Sequence, residues 1–290
     1  MHYKKKLKKK DFLIAFLLLA GIFSASLFIF NNYLFKADKS GQKIKVVSKK
    51  QKEKALSFPQ NLPNPPKELK IPILMYHYVE NSVPNNKIRR DLQVQTEKFR
   101  EQLNFLKGNG YSTIKLEDLF LAMYEDKQLP SKPAILTFDD GYQNAYQDVF
   151  PVLKEQGIVG TFFIITGQLN KPDYLTIDQV KEMSKAGMEI GSHTQTHPDL
   201  SITPVGMAKK EIEDSKKDLE NIIGKKVYFF CYPSGKYNQE TPELVKQAGY
   251  LLAVDTNPGN LHSSSNPFGV TRVRVHGIES LESFKKALEE

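Results

Sequence analysis

A single cysteine, Cys231, serves the whole 290-residue chain. That excludes an intrachain disulfide and any zinc site built from several thiolates, so a metal ion would have to be held by histidine and carboxylate. No glycine-rich phosphate loop follows any apolar run, which leaves a nucleotide-binding Rossmann domain without support. Positive charge is scarce where a nucleic-acid-binding surface would need it. Sixteen lysines against four acids fall in residues 1–70 and give that stretch +12, which leaves −4 for the remainder of a chain whose formal charge is +8. A nucleic-acid partner requires a basic stripe on the folded part, so none is expected. The cysteine count is silent on compartment, because a core of this size stands without disulfides. With 40% hydrophobic and 26% charged residues, the composition is that of an ordinary globular protein.

What is present divides into four stretches. Residues 1–11 form a basic tail with six lysines in the seven positions 4–10. Residues 12–35 carry no charge, and the 19 residues Phe12 to Phe30 are long enough to span roughly 30 Å of hydrocarbon. Lysines on the leading side hold that end in the cytoplasm and send the bulk of the chain outside. We read residues 12–35 as an uncleaved signal-anchor. The alternative is a cleaved signal peptide, although the small residues Ser24, Ala25 and Ser26 lie inside the apolar run rather than beyond it. Either way an exported protein is expected, at the cell membrane with its domain extracellular, or secreted. Residues 36–70 are rich in lysine, proline and polar side chains and read as a linker. Residues 71–290 form the domain.

From residue 71 strands and helices alternate. Apolar runs at 71–78, 134–138, 159–166, 188–192, 227–232, 250–254 and 270–275 predict strands. Helices are predicted with Thr96 as N-cap and Phe99, Leu103 and Leu106 on one face, from about Asn144 to Gly157, and from the Thr176/Gln179 capping box to Gly187. Others run from Pro204 to Gly224, from about Gln239 to Gly249, and onward from Ser280. Repeated strand–helix units favour a parallel sheet with helices outside, and an irregular β/α barrel over an open sheet.

In such barrels chemistry sits at the carboxyl ends of strands. Asp139 and Asp140 follow one strand, His193 and His197 another, the Tyr232–Pro233–Ser234–Gly235 turn a third, and Asp255 a fourth. The bland reading of Asp139–Asp140–Gly141 is a solvated turn. The two histidines, separated by three residues, fall on one side of a helix or compact turn. Two histidines and one carboxylate with a coordination position left open make a catalytic arrangement for zinc or another divalent metal. His77, at the end of the first strand, is a candidate for the pocket wall.

TFDDG at 137–141 and SHTQTHP at 192–198 resemble the first two motifs of the NodB-homology polysaccharide deacetylases, carbohydrate esterase family 4. The resemblance spans about residues 71–290. ILMYHYV near the start of the domain and FGVTRVRVHG near its end look like the branch acting on poly-N-acetylglucosamine and its wall-associated relatives. It implies a deformed (β/α) barrel, Asp139 as general base, and Asp140, His193 and His197 as metal ligands. It further implies a backbone amide near Ser234 as oxyanion donor, with Tyr232 and Pro233 shaping the pocket, and a late histidine as general acid. His276 is the candidate acid and His262 a rival. The family's third motif carries an arginine that holds the catalytic aspartate, and Cys231 stands in that place. The fourth motif has only Asp255 near it, and the chain contains no tryptophan.

Arg272, Arg274 and His276 are spaced to share one face of a strand. Arg272 or Arg274 is therefore expected to pair with Asp139 in place of the missing arginine; a solvated edge strand is the alternative. The expected activity is metal-dependent removal of N-acetyl groups from a cell-surface amino-sugar polymer, either poly-N-acetylglucosamine or peptidoglycan, with zinc as the foremost metal. A catalytically weak glycan-binding protein and an O-acetyl esterase are the rivals.

Overall fold

Short β-branched and aromatic runs, most of them followed by a helix, wind into a ring in the computed structural model, which describes residues 55–84 and 86–289. The strands in chain order are β1 (Glu68–Lys70), β2 (Ile73–Tyr76), β3 (Tyr78–Val79), β4 (Gln93–Val94), β5 (Ser112–Ile114) and β6 (Pro133–Phe138). They continue as β7 (Thr161–Ile164), β8 (Glu189–Ser192), β9 (Phe229–Cys231), β10 (Leu252–Pro258), β11 (Leu261–Ser263) and β12 (Val270–Arg274). The α-helices are α1 (Lys87–Leu92), α2 (Thr96–Gly108), α3 (Leu116–Tyr124), α4 (Phe150–Gln156), α5 (Ile177–Lys185), α6 (Val205–Ile223), α7 (Thr241–Gln247) and α8 (Leu281–Glu289).

Seven strands close a parallel barrel in the order β2, β12, β10, β9, β8, β7, β6 and back to β2. On the side of β6 away from β2, β5 pairs with its first residues and β7 with its last, so the wall is split there. This is the deformed (β/α) barrel expected from the strand–helix rhythm.

Strand alternation sorts the side chains into two layers. Leu74, Tyr76, Leu136, Phe138, Phe162, Ile164, Ile190 and Phe230 face the helices in one core cluster. There Phe138 stacks between Tyr76 and Phe162, with ring centroids 5.3 and 4.8 Å away. Ile73, Ile135, Phe163, Phe229, Cys231, Leu252, Val254 and Val270 fill the lumen. Gly191 makes room for them, since a Cβ there would lie 2.5 Å from the Phe163 ring. Helix α3 plugs the floor, adding Leu116, Leu119, Phe120 and Met123 to the lumen cluster. Its first amides, on Leu116 and Glu117, donate to the carboxylate of Glu189 at 3.0 and 3.1 Å, and Thr161 Oγ1 donates to it at 2.6 Å. Burial nonetheless pushes the Glu189 carboxyl up to about 7.

Several local expectations meet the structure differently. Thr176 and Gln179 form the capping box, and Gly157 and Gly224 end their helices in the left-handed region. Thr96 is the first helical residue rather than the cap, which is Gln95. The stretch Ala145–Val149 is wound as a π-helix before α4 begins. Residues 55–70, assigned above to the linker, pack on the barrel. Phe58 lies 5.6 Å from Tyr124 and 5.9 Å from Phe268 between ring centroids, the Leu56 amide donates to the Tyr228 hydroxyl, and β1 pairs with β11. The domain boundary therefore falls upstream of residue 71, because these apolar side chains cover the barrel. The basic tail 1–11, the stretch 12–35 read as an anchor and residues 36–54 of the expected linker lie outside the described residues. Among the described residues, no helix is long and apolar enough to cross a membrane.

Candidate active site

The carboxyl rim of the barrel carries a polar layer above the apolar lumen. Thr137 and Asp139 alternate into the lumen from the end of β6. From β12, Arg272 enters the same space and is fully buried. Its guanidinium grips Asp139 with two parallel bonds, Nη1 to Oδ1 at 2.8 Å and Nη2 to Oδ2 at 2.7 Å. The other three N–H groups reach the Asp255 carbonyl at 2.7 Å, Thr137 Oγ1 at 3.0 Å and Cys231 Sγ at 3.2 Å. All five donors of the side chain are thereby satisfied. Burial by itself would raise the Asp139 carboxyl, but the charge and hydrogen bonds of Arg272 outweigh it and hold the group well below the usual carboxylate range. Cys231, at the position where the resembled family has arginine, contributes a thiol whose Sγ is 3.6 Å from Asp139 Oδ2. Burial pushes that thiol up, so it stays protonated.

Asp140 would alternate away from the lumen, but its φ of +74° turns the chain back over the rim. Its Oδ1 lies 3.3 Å from His193 Nε2 and 3.6 Å from His197 Nε2. The Nδ1 of His193 faces the Cys231 carbonyl at 2.7 Å. A carbonyl only accepts, so Nδ1 carries a proton, and Nε2, which faces the Asp140 carboxylate, is the ring nitrogen left for a cation to take. Two imidazole nitrogens and a carboxylate oxygen, all within 4.8 Å of one another, are a donor set that fits a divalent cation. Asp139, His193 and Cys231 form a second such grouping, but Asp139 is already taken by Arg272.

The remaining candidates separate. His77 stands beside the site, Nε2 3.9 Å from Asp139 Oδ2, with its side chain 15% exposed. Burial lowers its basicity; Asp139 and Asp140 oppose that, while Arg272 and Arg274 add to it. Arg274 is half-buried at the end of β12. His276 does not share the face of Arg272, because β12 ends at Arg274. Its Nδ1 pairs with Asp91 at 3.0 Å, half-exposed, outside the group gathered around Asp139. His262 lies on β11, not on a rim loop, and its Nε2 bonds the Ile71 carbonyl just before β2.

Pro233, Ser234 and Gly235 form a tight turn after β9. Ser234 is left-handed at φ 54°, and a Cβ on Gly235 would fall 2.0 Å from Thr256 Oγ1. Tyr232 is buried in the outer layer, its hydroxyl donating to the Phe268 carbonyl at 2.9 Å, so its ring does not line the lumen. The Asp255 carboxylate accepts from Asn257 and Tyr237, and only its carbonyl meets Arg272. The strand-end rule that picked out Asp139 and His193 applies equally to His77, and it was the signal for placing that imidazole at the site.

A profile of the polysaccharide deacetylase family matches residues 126–253. YxkH of Bacillus subtilis (strain 168), classed with the polysaccharide deacetylases, is 35% identical over 209 residues, covering 72% of this chain and 72% of its own. The poly-beta-1,6-N-acetyl-D-glucosamine N-deacetylase of Staphylococcus aureus (strain MRSA252) is 25% identical over 240 residues, covering 73% of this chain and 82% of its own. The solved structure of the Streptococcus pyogenes deacetylase PplD, in complex with acetate, superposes with a TM-score of 0.72 at 32% identity, over 77% of this chain and 100% of that one. Fold and rim define a β/α-barrel hydrolase. The chain belongs to the polysaccharide deacetylase family.

Proposed function

We propose that the domain removes N-acetyl groups from a poly-β-1,6-N-acetylglucosamine polymer outside the cell, with zinc held by Asp140, His193 and His197. The observation that carries this reading is the ionised, arginine-clamped Asp139 beside that donor set. A divalent cation bound there supplies Lewis acidity, polarising an acyl oxygen and acidifying water. Asp139 takes the proton of the attacking water. The amide of Ser234, fixed by the turn after β9, donates to the oxyanion as the acetyl carbon becomes tetrahedral. His77, its Nε2 3.9 Å from Asp139 Oδ2, passes the proton that Asp139 has taken on to the departing nitrogen, so one amide and one water become acetate and a glucosamine amine. The Staphylococcus aureus relative's substrate supports the choice of polymer. The apolar run at 12–35 supports attachment to the cell membrane with the domain at the cell wall.

The test is acetate release from poly-β-1,6-N-acetylglucosamine, peptidoglycan and acetylated xylan, each with and without a chelator. Chelator-sensitive release from the first supports the proposal. Release from acetylated xylan alone would assign an O-acetyl esterase, and retention of glycan without any release a binding protein.

A further inference from the structure

We infer that Glu211 on α6 is a positioning residue for the metal-binding loop; the inference rests on reading Asp140, His193 and His197 as the metal ligands. The loop from His193 to His197 is held in an unfavourable backbone. Thr194 and His197 are left-handed at φ +65° and +62°, and neither is glycine. Something outside the loop must keep it there. Inside the turn, Thr194 Oγ1 donates to the His193 carbonyl and accepts from the His197 amide at 3.0 Å. On the outside, two of the three amides between the histidines point at one carboxylate: Gln195 N and Thr196 N donate to Glu211 Oε2 at 2.9 and 2.8 Å. Thr196 Oγ1 donates to the other oxygen of that carboxylate at 2.7 Å.

Glu211 is not an isolated contact. Four and seven residues along the same helix, Ser215 meets Ser192 Oγ at 2.7 Å, and Asp218 accepts from Gln195 Nε2 and Thr166 Oγ1 at 3.3 Å each. Residues 211, 215 and 218 lie on one face of a helix. The rest of the inward side is apolar, with Ala208, Ile212 and Leu219 buried. A polar stripe on that side that reaches β8, its loop and a neighbouring loop marks α6 as a buttress rather than a solvated helix.

The two imidazoles depend on it unequally. His193 is pinned by the Cys231 carbonyl and is 3% exposed, whereas the His197 side chain is 31% exposed and no hydrogen bond fixes its ring among the described residues. The His197 ring meets His193 edge-on at 4.8 Å between centroids, and the backbone that carries it there runs through the peptide planes at 195–196 that Glu211 holds. Removing groups that orient metal ligands typically weakens affinity about 10–100-fold.

The test is zinc affinity of the apo domain by chelator competition, with the cobalt(II) absorption spectrum as a second readout and thermal melting to monitor folding. Glu211→Ala is expected to bind zinc about 10–100-fold more weakly and to change the cobalt spectrum, Glu211→Gln to fall between it and the wild type, and the exposed neighbour Glu213→Ala to match the wild type. A folded Glu211→Ala that binds zinc within about twofold of wild type overturns the inference while leaving the ligand assignment standing. Should Glu211→Ala fail to fold, unchanged zinc affinity in Glu211→Gln overturns it equally. If the wild-type domain itself binds no zinc, the ligand assignment falls and this inference with it.

Discussion

Replacing Arg272 with methionine keeps most of the side-chain volume and removes a charge whose five N–H groups are all paired. The cost lies less in the lost bonds than in what remains, a buried carboxylate with no counter-ion. Breaking one partner out of a buried ion pair typically costs about 3–5 kcal/mol. In the wild type the folded-state Asp139 is depressed. Its contribution to stability is therefore present above the ordinary aspartate pKa of about 4 and is lost as pH falls below it. In Arg272→Met burial is opposed only by the smaller contributions of His77 and His193, the folded carboxyl rises, and stability should instead fall as pH climbs from about 4 toward neutrality. Urea denaturation between pH 4 and 7 reads both the size of the loss and the reversed slope. The double variant Arg272→Met/Asp139→Asn, which has no stranded charge, should recover most of the stability but none of the activity. The single variant should lose about 10²–10⁴-fold in kcat/KM, because its base is less fully ionised and no longer held in place. A loss under about 1 kcal/mol with an unchanged pH slope would refute the reasoning, since it would mean that Asp139 does not need its arginine.

Three further outcomes are expected. His77→Ala should lower kcat by about 10²-fold or more, whereas His276→Ala, which loses only a half-exposed pair with Asp91, should stay within about twofold in the same acetate-release assay. Glu189, raised to about 7 by burial, is protonated in the folded chain at pH values where the unfolded chain has ionised; relative to Glu189→Gln, wild-type stability should decline by about 3 kcal/mol between pH 4.5 and 7 and then level off in urea titrations. Phe58→Ala should cost about 2 kcal/mol in the same titrations, and a chain cut at residue 71 should lose more, because both uncover apolar surface on the barrel.

The barrel was legible because its signals are local. A β-branched run of four to six residues reads as a strand wherever it lies, and Gly157 and Gly224 stop helices through their own φ. Short or weakly patterned pieces were not legible. β5, α3 and β11 are held by what they cover, and α3 owes its start to Glu189, 73 residues away. The linker boundary was misplaced for the same reason: Phe58 looks like part of a proline-rich spacer until the rings it meets are known.

At the site, strand periodicity and spacing already put Asp139, Asp140, His193 and His197 on one rim, because strand alternation and the parallel barrel are properties of backbone geometry that short sequence runs encode. Those runs could not choose between Arg272 and Arg274, and the resemblance pointed to His276 as the acid, whereas the structure pairs it with Asp91. Such choices depend on where β12 ends, on which residue the lumen accepts, and on a helix face that aims Glu211 at the histidine loop. Contacts between groups 15 to 133 residues apart decide those matters, and they exist only once the ring has closed.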